Sequence, residues 1–335
     1  MFKFARVLLP LCITAAALPV SSSLPAQDQR VVIRGPGSAK RDPDPAFKAN
    51  VSRPAYTTTK PRVLFDEAHL NQFGIEKAYR PFAELLRADG YQVDRGHATF
   101  TPAALNGQNV VVITNARGGV DDAAGDPALT SAEVSALADW VSAGGSLLLV
   151  VDPGDVSSAV EPLASKLGVK LGGAPMRDTV HFDKERGNPG YVLFDAGLLG
   201  DHPIMRGRDA TEAIKVVESF GGQSLRGPTG SVELLRAAPG AFELRLPTRD
   251  QIDSIAQANN GEVRIRPQRV PVSGAQAVAF THGSGRVVVV GESSMLTALV
   301  LTPEDGSPER VGLTVVGRDN QQFALNVMHW LSKLY

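Results

Sequence analysis

Cysteine is almost absent from this chain. The 335 residues include one, Cys12, inside an apolar N-terminal segment. With that segment removed, no disulfide, thiolate metal site or thiol nucleophile is available to the remainder. An excess of charge of one sign is lacking as well. The formal net charge is -1, so no overall field draws the chain to nucleic acid or anionic lipid. A long hydrophobic run is missing too. The N-terminal apolar stretch Val7–Val20 is interrupted by Pro10 and Pro19 and falls short of the roughly 18–20 residues that span a bilayer. No H-E-x-x-H occurs, and Gly283 with Gly285 lacks the third glycine and the following helix of a dinucleotide fingerprint.

The N-terminus instead has the layout of a secretory signal. Lys3 and Arg6 start it, the apolar core follows, and Ser21–Ala26 supplies small residues. Cleavage is expected after Ala26, with Ser22 as a second candidate and an uncleaved anchor as the alternative. Cleavage after Ala26 removes two cations and no acid, which takes the net charge from -1 to -3. Residues 1–26 are thus read as a signal peptide and 27–60, rich in Pro, Lys, Arg and Thr, as an extended linker or arm. Val31–Ile33 is a candidate edge strand within it.

From Arg62 the pattern alternates strand and helix. Strands are expected at Arg62–Asp66, Tyr91–Arg95, Asn109–Thr114 and Ser146–Asp152. Helices are expected at Ile75–Asp89, Ser131–Ala143 and Val156–Leu167. Thr130 or Ser131 caps the second helix, whose outer face carries Glu133 and Asp139. The alternation implies an α/β domain over 61–335 with a parallel sheet covered on both faces. Residues 169–275 read as an irregular β-rich insertion. A hairpin over Gln276–Gly291 comes next, and then a last helix, Asp319–Lys333. Asp319 is its expected cap, and His329 falls off its buried stripe.

Chemistry-bearing residues gather at the expected strand ends, where ligands sit in open α/β sheets. Asp66, Glu67 and His69 come after the first strand, Asn115 after the third, and Asp152 and Asp155 flank Pro153-Gly154 after the central one. A strand-end carboxylate beside an imidazole suits a hard metal or an acid–base pair. Equally, such side chains brace loops by capping turns. With Asp152 placed beside Asp66, a metal set of Asp66, His69 and Asp152 is the candidate. Gly291-Glu292-Ser293-Ser294-Met295 is a broken G-x-S-x-G, with Met295 where the tight elbow needs glycine. Asp319 and His329 come later in triad order. The candidate ligand-binding set is therefore Asp66, Glu67, His69, Asn115, Asp152, Asp155, Glu292 and Ser293.

Five stretches carry a resemblance. They are the LFDEAH start at Leu64–His69, WVSAGGSLLLVVD at Trp140–Asp152, Asp201-His202-Pro203-Ile204, GRVVVVGESSM, and the closing DNQQFALNVMHWL. Together they resemble the class I glutamine amidotransferase-like superfamily. The likeness is closer to an envelope branch related to auxiliary domains of gliding-motility ABC transporters and to intraflagellar-transport proteins. True amidotransferases of this fold place a nucleophilic cysteine at the strand-to-helix turn, where this chain has Val151-Asp152-Pro153-Gly154. The resemblance therefore implies a flavodoxin-like, doubly wound parallel-sheet scaffold and a cleft, not glutaminase chemistry. The resulting expectation is a periplasmic or secreted, non-catalytic binding domain without a cofactor. Its partner would be a small polar ligand or an envelope protein, not nucleic acid. The alternative is a metal- or serine-dependent hydrolase acting on an envelope glycan or amide.

Overall fold

The computed structural model describes residues 39–118, 126–247, 251, 254, 267–272, 274–303 and 306–335. The expected signal peptide, Cys12 and Val31–Ile33 lie outside the described residues. No helix among the described residues is long and apolar enough to cross a membrane.

Strand β1 (Lys40–Pro43) precedes an alternating unit. The unit comprises β2 (Arg62–Asp66), α1 (Arg80–Ala88), β3 (Gln92–Gly96), α2 (Pro102–Leu105), β4 (Val110–Thr114), α3 (Ser131–Ser142), β5 (Ser146–Val150) and α4 (Asp155–Lys166). Then come β6 (Lys170–Arg177), β7 (Leu193–Phe194), α5 (Pro203–Arg206), β8 (Val217–Glu218), β9 (Gln223–Arg226), β10 (Val232–Arg236), β11 (Phe242–Arg245) and β12 (Gln268–Pro271). The chain closes with β13 (Ala275–His282), β14 (Gly285–Val290), β15 (Ala298–Thr302), β16 (Glu309–Gly312) and α6 (Asn320–Leu331).

Strands β3, β2, β4, β5 and β14 lie side by side in that order, each pair parallel. Counted along the chain this is the order 2-1-3-4-5 of flavodoxin-like sheets, whose switch point falls between the first and third strands, here β2 and β4. Side chains alternate across the sheet, as the strand period of two requires. Val110, Val112, Leu148 and Val150 join one core with Phe82, Leu86, Val327 and Met328. Val111, Ile113, Leu147 and Leu149 join the other with Leu137, Val141, Val160 and Leu163. Helices thus cover both faces.

The β-rich insertion does not stand apart. Strands β6, β9, β11 and β12 add antiparallel pairs beyond β13, so among the described residues the sheet is mixed and eleven-stranded. A separate three-stranded sheet, β1-β15-β16, sits by the loop after β2. There Phe73 and Ala78 contact Leu299 and Val311. Its β1 lies in the stretch read as an arm, which is also tied down further along. Ala55 N donates to Asp89 Oδ1 at 2.7 Å, and Arg53 pairs with Asp209 and Glu212.

Three local expectations are corrected. The first helix starts at Arg80, not Ile75, with Pro81 in its first turn, where the missing N–H costs no intrahelical bond. Asp319 precedes α6 but makes no side-chain cap. Its carboxylate accepts instead from Lys215 N and Val216 N, at 2.7 and 3.0 Å. His329 is buried, because Asp89 at the end of α1 and the C-terminal Tyr335 close over it, while the insertion covers its neighbours. Asn326 donates to Ile204 O and Glu212 O, and Trp330 meets His202 edge-on.

Candidate functional site

The loop after β2 folds back over the β2–β4 switch point and fills it. Asn71 Nδ2 donates to Asp66 Oδ2 at 3.0 Å and to Thr114 O at 2.9 Å, bridging the two strand ends. Gln72 N donates to Asn115 O and Arg117 N to His69 O. Asp66 ends β2 and is 1 % exposed. His69 lies between two carboxylates: Nδ1 is 2.8 Å from Asp66 Oδ1 and Nε2 is 2.8 Å from Glu133 Oε1. Its ring stacks on Phe100 at 4.9 Å. Two carboxylates require two N–H donors, so the ring is held as imidazolium.

The electrostatics agree with that geometry. Burial works to lower the His69 pKa, but the hydrogen bond and charge of Asp66, and then those of Glu133, outweigh it and raise it. Burial likewise works to raise Glu133. The bonds from His69, Thr130 and Phe100 N prevail and hold it at about 2. Glu133 is no outward-facing residue. It forms a capping box with Thr130 at the start of α3 and also accepts from Phe100 N at 3.1 Å. The signal that could have marked it is Thr130-x-x-Glu133 itself.

These shifts make stability depend on pH. A raised histidine contributes stability fully below its unfolded value, near 6.5, and loses it as pH climbs through the folded pKa. A lowered Glu133 contributes above about 4.5 and loses it as pH falls toward about 2. Unfolding free energy should therefore decline on the alkaline side of pH 6.5, and a His69→Gln chain should lack that decline. Urea melts of both chains from pH 5 to 9 measure it, and parallel curves would refute the charged state of His69.

The second node lies two strands away. Asp152 comes after β5, and Asn115 comes after β4 in a left-handed conformation, φ +40°. They pair reciprocally: Asn115 Nδ2 donates to Asp152 Oδ2 and Asp152 N to Asn115 Oδ1, both at 2.8 Å. From the end of β14, Ser293 N donates to Asp152 Oδ1 and Ser293 Oγ to Asp152 Oδ2, both at 2.7 Å. Ser293 makes no helix cap. Glu292 does that work, accepting from Ser294 N and Met295 N at 2.7 and 2.8 Å. Burial, and then the charge of Asp152, push the Glu292 carboxyl up to about 7. Tyr79, fully buried, donates to Ser293 O at 3.3 Å.

Several expected groupings do not form. Asp152 does not lie beside Asp66, because β4 separates β2 from β5. The link between them runs instead through the amides of Asn71 and Asn115. The metal set Asp66, His69, Asp152 fails on chemistry: both His69 nitrogens are engaged with carboxylates, and Asp152 is occupied by Asn115 and Ser293. Among the described residues no group of three His, Cys, Asp or Glu side chains is arranged to hold a metal. The serine triad fails as well. His329 Nε2 is bonded to Asp89 Oδ2 at 2.6 Å, and Ser293 Oγ meets a carboxylate with no imidazole. Asp155 begins α4, exposed, with Gly154 before it.

Glu67 borders open space. Its carboxylate accepts from Ile75 N at 2.8 Å and Arg95 Nε at 2.6 Å. With Leu70, Gln72, Lys77 and Arg95 it lines a cavity of about 230 Å³ at the carboxyl ends of β2 and β3.

The family model for a domain of unknown function, DUF4350, matches residues 77–305. The chain belongs to the DUF4350 family. The match takes in Asn115, Glu133, Asp152, Glu292 and Ser293. The Asp66–His69 loop precedes it. No curated protein matches the sequence. Among solved structures, the mmIFT52 N-terminal domain is similar at 16% identity and a TM-score of 0.53, covering 81% of this chain and 97% of that one. A protein described as ThuA-like from Bacteroides uniformis has 13% identity and a TM-score of 0.40, over 84% and 93% of the two chains. A cytoplasmic protein from Salmonella typhimurium LT2 has 13% identity and a TM-score of 0.39, over 82% and 98%. The first of these shares the DUF4350 chain's fold.

Proposed function

We propose that this chain is an exported, non-catalytic binding domain of the cell envelope, periplasmic or secreted, that takes a small polar ligand or an envelope protein. The observation that carries the reading is the mutual saturation of the strand-end polar groups. Ser293 and Asn115 spend their donors on Asp152, and both nitrogens of His69 are committed. A nucleophile needs a base within hydrogen-bond reach, and Ser293 has only a carboxylate that also serves Asn115.

The turn from β5 to α4 supports the same reading. In an amidotransferase-like frame the reactive side chain stands there, on a sharp turn. Here Gly154 takes φ +92° and ψ -145°, and it has no side chain to offer. The cavity beside Glu67 and Arg95 is the polar, solvent-reached part of the edge and the place for a ligand. Export rests on the N-terminal charge and apolar pattern.

One set of measurements tests both halves. The full chain is expressed in a Gram-negative cell, fractionated and weighed by mass spectrometry. A mature chain beginning at Gln27 in the envelope fraction is expected. The purified protein and its Ser293→Ala variant are then assayed on chromogenic esters and amides, with and without divalent ions. Neither should turn over substrate. Turnover lost on replacing Ser293 would establish the hydrolase instead.

A further inference from the structure

Another hollow lies on the β-rich insertion, away from the strand ends that carry Asp66 and Asp152. It is formed around the neighbouring strands β9, β6 and β11 and encloses about 200 Å³. In the antiparallel register of β6 and β9, Lys170 stands directly opposite Arg226 and Leu171 opposite Leu225. Side chains alternate across a sheet. Leu171 and Leu225 therefore turn to one face, where they join an apolar core. Lys170, Gly172, Ser224 and Arg226 share the other face. Glu243 crosses that face from β11 and is 1 % exposed. Its Oε1 accepts from Ser224 N at 3.2 Å and Ser224 Oγ at 2.6 Å. Its Oε2 accepts from Arg245 Nη2 at 3.0 Å and Nε at 3.2 Å. The crossing needs a glycine beneath it, since a Cβ on Gly172 would come within 1.9 Å of Glu243 Oε1.

Charge on this face does not balance. Burying a carboxylate is costly, and here it fixes one edge of a guanidinium whose side chain is 50 % exposed. Arg245 thus answers Glu243 and still has Nη1 to donate, without an acceptor among the described residues. Lys170 is exposed and has no hydrogen bond or ion pair among the described residues. The residue across the ladder from it is another cation, Arg226. Like charges directly opposite one another in an antiparallel pair repel. A negative group seated in the hollow would turn that repulsion into attraction. The volume is below the roughly 300–1,000 Å³ of pockets that enclose a drug-sized ligand, so the hollow suits one small group.

We propose that the hollow between Lys170, Arg226 and Arg245 binds a small oxyanion, a phosphate or a carboxylate borne by a ligand. Lys170 supplies a point charge, and Arg245, positioned by Glu243, supplies directed N–H donors. The hollow uses none of the strand-end residues, so it stands or falls independently of the proposed envelope function.

Amide NMR spectra of the isotope-labelled full chain test it at constant pH and ionic strength. Sodium phosphate and sodium acetate are each titrated against sodium chloride to about 50 mM, well past a Kd of about 1 mM for a weak site. The amide signals of Gly172 and Ser224 should shift and saturate in phosphate, in acetate or in both, and not in chloride. The arm that responds identifies the group. Arg245→Gln strips a buried carboxylate of its partner, so the decisive variant is Lys170→Met, which alters an exposed side chain. It should weaken the apparent affinity at least about tenfold and leave the remainder of the amide spectrum in place. Absence of a saturable shift at Gly172 and Ser224 in both anions overturns the proposal, as does an affinity undiminished in Lys170→Met.

Discussion

Replacing Glu133 by alanine is expected to lower the unfolding free energy by about 3–5 kcal/mol, the range for breaking one partner out of a buried ion pair. Three losses coincide. His69 keeps its charge but loses the acceptor at Nε2. Phe100 N loses its acceptor. The capping box at Thr130 is gone, worth about 1 kcal/mol alone. These groups share one network, so the terms do not add independently. Glu133→Gln should cost less, because an amide oxygen can still accept from the backbone at Phe100 or Thr130. Equilibrium urea denaturation at pH 6, where His69 is charged in the folded state, reads the difference. An alanine variant within about 1 kcal/mol of wild type, the size of a surface pair, would show the network to be decorative.

Asp152→Ala should cost about 2–4 kcal/mol, since it leaves Ser293 N and Ser293 Oγ unpaired and Asn115 Nδ2 with only Gln72 Oε1, 3.4 Å away. Its signature is a dependence on pH. Glu292 is pushed up to about 7 by burial and then by Asp152. For a carboxyl raised above its unfolded value, about 4.5, the folded state binds more protons than the unfolded state between those pH values. Stability therefore falls as pH rises through that window. Removing the Asp152 charge lowers the folded pKa of Glu292 and shrinks that fall. The penalty of Asp152→Ala should be larger at pH 5 than at pH 8. Denaturation at both pH values checks it, and equal penalties would dissociate Asp152 from Glu292.

The strands are legible because their residues are. Val110–Thr114 and Ser146–Val150 are unbroken apolar runs buried on both faces, the pattern of central parallel strands. The strand-end set is legible by the same rule, since residues just past the carboxyl end of such a strand lie at the ligand edge. Their partners are not. Glu133 is far from His69 along the chain, and a helix pattern assigns it to solvent because carboxylates on helices usually face water. His329 escapes for a related reason. A helical stripe marks the face toward the sheet, but Asp89 at the end of α1 and the C-terminal Tyr335 bury His329 without leaving a period in the sequence. Strand order is the costliest ambiguity. Asp66 and Asp152 both lie at the ends of parallel strands, yet β4 lies between them. Adjacency depends on which crossover is made, and that is a property of the whole sheet.

By itself, then, the sequence determined the local matters: an α/β alternation, the strand ends and the polar groups upon them, and the lack of any thiol after Cys12. These arise from side-chain period, apolar runs and composition, all of which act within a few residues. Tertiary structure alone decided whether those polar groups would face a ligand or one another. That outcome rests on where the 67–73 loop lies and on what Asn71 and Asn115 bridge. Hydrogen bonds of about 3 Å are set by distances between segments, and no sequence spacing carries such distances.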